Sequence, residues 1–244
     1  MSRGKDIWNT KENAEAYNLY ASNFPMYIDT SRDLVKISGI NLGTTLIDLA
    51  CGTGTTTQAI MDATNSRVNI IAVDQAEEML KKVKEKFVDG NVRFISSEAE
   101  DLDKVISEPI DAVICNSAFW QMKAQTTIRA VSNVLKSGGI FAFNLPDSFF
   151  NYSSFKKQPI NPAPYNLNDL IGWAKEVKLT MVTEMVKTYS KTAEEVIAFN
   201  EIPVMKRSFK TDDEKNKFFE KLQNDKNKNI LGVRQWVYLV FRKK

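Results

Sequence analysis

Between residues 45 and 146 the apolar and polar positions alternate in a regular way. TLIDLA (Thr45–Ala50) is a short apolar run and predicts a buried strand, followed by a helix from about Thr55 to Met61. VNIIAVD (Val68–Asp74) predicts a second strand. QAEEMLKKVKEKF (Gln75–Phe87) carries apolar residues at helical spacing. NVRFISS (Asn91–Ser97) and IDAVICNS (Ile110–Ser117) predict strands three and four, and QTTIRAVSNVL (Gln125–Leu135) a helix. After Lys136-Ser137-Gly138-Gly139, IFAFNLP (Ile140–Pro146) predicts a fifth strand. Strands and helices in this rhythm imply a parallel sheet covered on both faces. The ligand site of such a sheet lies at the carboxyl ends of its strands.

The flanks read differently. TKENAEAYNLYAS (Thr10–Ser22) has the pattern of a short amphipathic helix, with Thr10 as cap and Glu12 and Glu15 near its positive end. Thr30–Ile40 predicts a second helix, capped by Thr30 or Ser31 and closed near Gly39. Trp8, Tyr17, Tyr20, Phe24 and Tyr27 make this end aromatic, as expected of a lid packed over the mouth of the sheet. Beyond Pro146, residues 147–165 mix aromatics with three prolines and read as a loop. LNDLIGWAKEV (Leu167–Val177) and TAEEVIAFNEI (Thr192–Ile202) predict helices. KLTMVTEMVKTYS (Lys178–Ser190) and RQWVYLVFRKK (Arg234–Lys244) predict the last two strands. More than forty residues separate those strands, so no tight hairpin joins them. The expected organisation is one domain over residues 1–244. Residues 1–40 form a helical lid, 41–146 a cofactor-binding core, and 147–244 acceptor-covering insertions and the last strands.

Composition narrows the function. The chain has 244 residues and is 43% hydrophobic, enough for a packed core. No apolar run reaches the roughly 18–20 residues that span a bilayer. The polar N-terminus lacks the apolar stretch of a signal peptide. A soluble, cytoplasmic protein without a membrane partner is expected. With 33 basic and 30 acidic residues, the net charge of +3 gives no reason to expect a nucleic-acid partner. The Lys-rich segments Lys81–Phe87 and Asp212–Asn229 interleave both signs and read as solvated helix faces. Two cysteines, Cys51 and Cys115, make neither a metal site nor a disulfide framework, and no metal is expected. The chain has no histidine, which excludes every mechanism that needs an imidazole.

Chemistry concentrates in LIDLACGTGTTTQAI (Leu46–Ile60), an apolar run followed by Gly-x-Gly and the start of a helix. Such a turn cradles a nucleotide-like ligand. The dinucleotide fingerprint fits poorly, because Thr57 stands where a third small residue is needed. Asp74, 22 residues after Gly52, suits ribose hydroxyls of either ligand class. Asp48 discriminates. It would repel a pyrophosphate, whereas at about 5 Å and an effective dielectric near 20 it attracts a unit positive charge by roughly 3 kcal/mol.

These motifs resemble the class I S-adenosylmethionine-dependent methyltransferases that act on small molecules. LIDLACGTG is similar to the family's first motif, with Ala50 where many members have glycine. The resemblance implies that Asp48, Ala50, Gly52 and Gly54 surround the methionine part of the cofactor. IIAVDQAEEML resembles the second motif, which implies that Asp74 bonds the ribose and that Gln75 and Met79 flank the adenine. FISSEAEDL implies that Glu98 and Ala99 meet the adenine ring. DAVICNSAFW implies that Asn116 and Ser117 line the cofactor near its sulfur. Plain core packing for Met79 and a helix-capping role for Ser117 stay open. The implied fold is a Rossmann-like, doubly wound, mostly parallel seven-stranded sheet with an antiparallel last strand, an N-terminal helical lid and insertions after strands five and six.

Methyl transfer needs a base only where the acceptor must lose a proton, since the cofactor carries the activation. Relatives often have a histidine before the fourth motif's tryptophan, and Phe119 stands there in this chain. The expected acceptor is therefore a small or peptide-like metabolite whose nucleophile is ready on arrival. A carboxylate oxygen is the first expectation, and N-methylation of a small amine is the alternative. From other classes, a dehydrogenase and a non-catalytic binding module stay open. Expected acceptor walls are Tyr20, Phe24, Tyr27, Phe119 and Trp120. Tyr17 is placed beside the cofactor, and Tyr20 is the rival candidate for a base.

Overall fold

The computed structural model describes residues 5–40, 45–88, 90–149, 166–206, 209–224 and 232–244. Residues 150–165, most of the aromatic loop expected to cover the acceptor, lie outside the described residues. The chain opens with three helices: α1 (Lys5–Trp8), α2 (Lys11–Asn23) and α3 (Pro25–Ser38). The alternating core follows as β1 (Thr45–Leu49), α4 (Thr55–Thr64), β2 (Asn69–Asp74), α5 (Glu77–Lys86) and β3 (Val92–Ser96). It continues with α6 (Leu102–Val105), β4 (Ile110–Cys115), α7 (Ala124–Val134) and β5 (Leu135–Pro146). The last part comprises α8 (Leu167–Glu176), β6 (Leu179–Lys191), α9 (Ala193–Glu201), α10 (Pro203–Lys206), α11 (Asp212–Asn224) and β7 (Gly232–Lys243).

The seven strands lie in the order β3-β2-β1-β4-β5-β7-β6. β1 through β5 pair in parallel, and β7 inserts antiparallel between β5 and β6. Side chains alternate across the strands, which gives the sheet two apolar faces. Ile47, Leu49, Ile71, Val73, Phe141 and Phe143 face one core with α7 and α8. Leu46, Ile70, Ala112, Ile114 and Ala142 face the other, against α3 and α4.

Local chemistry sets the element ends. Thr10 caps α2, its hydroxyl accepting from Asn13 N at 3.3 Å, and Thr192 caps α9, accepting from Glu195 N at 3.1 Å. α3 begins at Pro25, five residues ahead of the expected Thr30. Proline at the first helical position has no N–H to leave unpaired, so it starts the helix by itself. Thr30 and Ser31 are thus buried in the helix interior rather than capping it. Gly39 ends α3 with φ of 66°.

Candidate active site

A cavity of about 610 Å³ opens at the carboxyl ends of β1, β2, β3 and β4. The turn after β1 forms its floor. Ala50 and Gly52 both take left-handed backbone, with φ of 56° and 54°. The turn is tied to the next strand by Cys51 N, which donates to Val73 O at 3.0 Å. A Cβ built on Gly52 would meet nothing nearer than Tyr17 Cε1, at 3.8 Å. The bare backbone therefore faces open space with an aromatic ring above it.

Asp74 ends β2 and reaches across to this turn. Its Oδ2 accepts from Gly52 N and its Oδ1 from Ala76 N, both at 2.8 Å. Burial raises its pKa, and the backbone donors Ala76, Gly52 and Gln75 hold it back. Gln75 and Met79 line the cavity beyond it. From the end of β3 come Glu98, Ala99 and Glu100, the last accepting from Lys123 N at 2.8 Å.

β4 delivers Asn116 and Ser117 to the opposite wall. Ser117 takes φ of 58°, and Asn144 of β5 holds it there by accepting from Ser117 N at 2.7 Å. Asn144 Nδ2 donates to Asn116 Oδ1 at 2.7 Å, and Asn116 Nδ2 donates to Ser31 Oγ at 2.9 Å. Ser31 in turn shares a 3.0 Å hydrogen bond with Thr56. The fourth-motif turn, β5, α3 and α4 are thereby held in one polar network. Ser117 Oγ is buried without a partner among the described residues, and Ser117 lines the cavity.

The roof comes from distant parts of the chain. Trp8, Tyr17 and Tyr27 reach in from the N-terminal helices, and Phe199, Val204 and Met205 from α9 and α10. Trp8 Nε1 donates to Gln121 Oε1 at 3.1 Å, bridging the first helix to the segment after β4. Trp120 and Met122 complete that side. No motif in the sequence marks Phe199, Val204, Met205 or Gln121. Trp8 belongs to the N-terminal aromatic group, which was the one available clue.

Five expected site residues lie off the cavity. Asp48 shares its face of β1 with Leu46, so it points toward α4, where Oδ2 accepts from Thr57 Oγ1 at 2.6 Å. It is 1% exposed, and its Oδ1 has no partner among the described residues. Gly54 turns away from the cavity toward α5, where an added Cβ would sit 2.6 Å from Val83 Cγ2. Phe119 is core, stacked on Phe143 with ring centroids 4.0 Å apart. Tyr20 is buried, and its hydroxyl donates to Glu195 Oε1 at 3.2 Å. Phe24 packs on the Tyr20 ring at 5.3 Å instead of reaching the cavity. The other expected residues, including Tyr17, Tyr27 and Trp120, line the cavity.

Residues 40–229 match a family model described as a methyltransferase domain. The chain belongs to that methyltransferase family. This methyltransferase is 26% identical over 183 residues to malonyl-[acyl-carrier protein] O-methyltransferase 2 of Coxiella burnetii, covering 74% of this chain and 72% of that protein. It is 25% identical over 206 residues to the ubiquinone/menaquinone biosynthesis C-methyltransferase UbiE of Pseudomonas paraeruginosa, covering 76% and 74%. Among solved structures it is similar to phosphoethanolamine N-methyltransferase 2 of Haemonchus contortus, with a TM-score of 0.65 and 16% identity. That match covers 98% of this chain and 59% of the longer one.

The enzyme uses S-adenosylmethionine, and the cavity suits it. A glycine floor, a strand-end carboxylate and an unsatisfied serine hydroxyl are groups that a ribose and an amino-acid tail can engage. The family match sets the dinucleotide alternative aside. No helix among the described residues is long and apolar enough to cross a membrane.

Asp48, though off the cavity, lies close enough for its charge to reach Tyr17 and Asp74 on the cavity wall, and it is expected to make binding there depend on pH. Burial pushes its carboxyl up to about 7, the nearby Asp74 adds to this, and the Thr57 hydrogen bond opposes it. A carboxyl raised in the fold stabilises the protein fully below its ordinary value and progressively less as pH rises through 7. The loss amounts to about 4 kcal/mol. A cationic ligand favours the ionised form, so binding below pH 7 must expel a proton. Affinity for S-adenosylmethionine is expected to fall up to about tenfold per pH unit below 7. Asp48→Asn is expected to flatten that profile. Calorimetry between pH 5.5 and 8.5 checks both, and a flat wild-type profile would remove Asp48 from the coupling.

Proposed function

We propose that the enzyme methylates a small, partly apolar metabolite on an oxygen that arrives already ionised, as a carboxylate does at neutral pH. The observation that carries this reading is the state of the phenols facing the cavity. Burial, with further help from Tyr27, Asp74 and Asp48, raises the Tyr17 hydroxyl well above its ordinary value. Burial pushes Tyr27 up to about 12, against the pull of Arg234. Both stay protonated at neutral pH and are poor proton acceptors there. With no histidine in the chain, an acceptor that needs no deprotonation fits best. The O-methyltransferase relative from Coxiella burnetii supports oxygen as the acceptor atom.

In this reading Asp74 holds the ribose hydroxyls, Gln75 and Met79 flank the adenine, and Glu98 and Ala99 meet its edge. The amino-acid tail runs over Ala50 and Gly52 under the Tyr17 ring, with Asn116 and Ser117 beside the sulfur. When bound, the cofactor supplies a methyl group on a sulfonium. The chain orients the acceptor against it and excludes water with the Trp8, Tyr27, Trp120 and Phe199 roof, which well-placed reactants make worth several kcal/mol. The acidic groups of the cavity, Asp74, Glu98 and Glu100, follow β2 and β3, which in this reading is the adenosine side.

Tyr20, the rival base, serves the fold in this account. Its hydroxyl is committed to Glu195, and burial raises its pKa far above neutrality. Tyr20→Phe is expected to leave kcat within a few-fold and to cost about 1–3 kcal/mol of stability, because the buried Glu195 loses its donor. The assay is transfer of labelled methyl groups into a metabolite extract. At saturating cofactor, the no-base reading predicts a flat kcat between pH 6.5 and 9. A 10²-fold or larger fall of kcat in Tyr20→Phe, with cofactor affinity intact, would overturn it.

A further inference from the structure

β6 and β7 pair so that Tyr189 faces Arg234 and Lys191 faces Gly232. Side-chain alternation puts Lys187, Tyr189 and Lys191 on the same face as Arg234, Trp236 and Tyr238. α3 packs on that face, and Asp33 pairs with Lys187 and accepts from the Tyr189 hydroxyl. Further along the strands the compensation stops. Among the described residues, neither Lys191 nor Arg234 has an ion pair. Glu195 is the carboxylate whose charge both feel, and it is 3% exposed and already accepts from Tyr20. Two cations against one carboxylate leave a positive charge uncompensated in a half-buried place, which is costly unless an anion joins it. Burial first, then the like charge of Arg234, push the Lys191 ammonium down to about 8.

Neither Lys191 nor Arg234 lines the cavity, but a chain of aromatic rings links them to its wall. The Arg234 guanidinium lies 5.8 Å from the centroid of the Trp236 ring. Trp236 meets Tyr27 edge-on at 6.4 Å, and Tyr27 lies 6.5 Å from Phe199. Tyr27 and Phe199 both line the cavity. A guanidinium beside an ammonium, reached past two aromatic rings, suits an oxyanion with several acceptor atoms.

We propose that Lys191 and Arg234 seat an anionic group of the acceptor, a carboxylate or a phosphate at the end remote from the methylated atom, with Tyr27 and Phe199 flanking its apolar body. This rests on the reading that the cavity holds the acceptor beside the cofactor. The acceptor is then at once apolar and anionic, with the atom to be methylated held at a fixed distance from the anchor.

The test titrates the full chain, saturated with S-adenosylhomocysteine, with octanoate, octyl phosphate and octanol by calorimetry. Both anions are expected to bind about tenfold or more tightly than octanol. Lys191→Met and Arg234→Met are each expected to remove most of that preference while leaving octanol and S-adenosylhomocysteine affinities unchanged. Arg234→Lys is expected to keep much of it. A tenfold advantage of one anion over the other identifies the group as carboxylate or phosphate. Equal binding of anions and octanol by the wild type, no binding of either anion, or an anion preference that survives in both Met variants would overturn the proposal. Failure of the wild type to bind S-adenosylhomocysteine would count against the cofactor cavity instead.

Discussion

Gly54→Ala is expected to destabilise the protein by several kcal/mol, out of a total that for domains generally runs about 5–15 kcal/mol. The residue takes φ of 90°, where a Cβ is strained, at roughly 1–2 kcal/mol. The new methyl would also lie 2.6 Å from Val83 Cγ2 and 2.8 Å from Phe87 Cε2. Val83 is fully buried and stiff at χ1, so it has little room to yield. Overpacking of this kind typically costs a further 1–3 kcal/mol. The same stretch of α5 holds the turn from below, because Lys86 Nζ donates to Thr53 O at 2.7 Å. Displacing α5 therefore displaces the floor of the cavity. Gly52→Ala makes the control. Its φ of 54° is also left-handed, but its Cβ would enter open space, so the fold should lose only about 1–2 kcal/mol while cofactor affinity falls. Urea denaturation of both variants, with binding measured alongside, separates the two glycines. A Gly54→Ala protein within 1 kcal/mol of wild type would show that α5 can give way.

Asp74→Ala carries the second large effect, and it acts on binding. The carboxylate clips Gly52 N and Ala76 N, and in the proposed reading its remaining lone pairs also accept from the ribose hydroxyls. Hydrogen bonds to a charged group are worth about 1.5–3 kcal/mol each. Losing the ribose contacts alone should weaken S-adenosylhomocysteine binding roughly 10- to 150-fold. Loosening the Gly52 turn adds to that. Asp74→Asn is the sharper variant. An amide of the same shape offers one acceptor oxygen, but its NH₂ must face one of the two backbone N–H groups. It should bind little better than the alanine variant while keeping the volume filled. Calorimetry decides: a folded Asp74→Ala protein with wild-type affinity would take Asp74 out of the cofactor site.

How much of this was legible in the sequence depended on which physical rule each residue obeyed. Strands and helices of the core could be read because burial on two faces leaves continuous apolar runs such as NIIAVD, and because α5 keeps its charges on one side. The seam of the cavity at the ends of β1, β2 and β4 was legible too, since motif residues mark strand ends. Orientation at those ends was not. Asp48 and Gly54 sit in the right motif and point away from the cavity, one by strand alternation toward Thr57, the other by close approach to α5. Phe119 occupies the position expected of an acceptor wall, yet it fills the gap above Phe143 because β5 leaves an aromatic-sized space there. The roof was legible only in part. Trp8, Tyr17 and Tyr27 stood out by density of aromatics, whereas Phe199 and Met205 enter from helices more than 170 residues away from Trp8 and Tyr17, with no spacing that announces them. The Tyr20–Glu195 bond, across 175 positions, is of the same kind.

The match to the methyltransferase family begins at residue 40, just past α3. Trp8, Tyr17 and Tyr27, which close the cavity from above, are therefore written in a stretch of chain that the family model leaves out. Kinship over residues 40–229 carries the methyltransferase domain, and the glycine turn and Asp74 lie within it. In the proposed reading the choice of recipient descends in part by another line, through the residues that precede the match. On that reading, two chains alike across the whole matched region can serve different metabolites, and a lineage can change its customer by rewriting the three N-terminal helices while the transfer itself stays as it was.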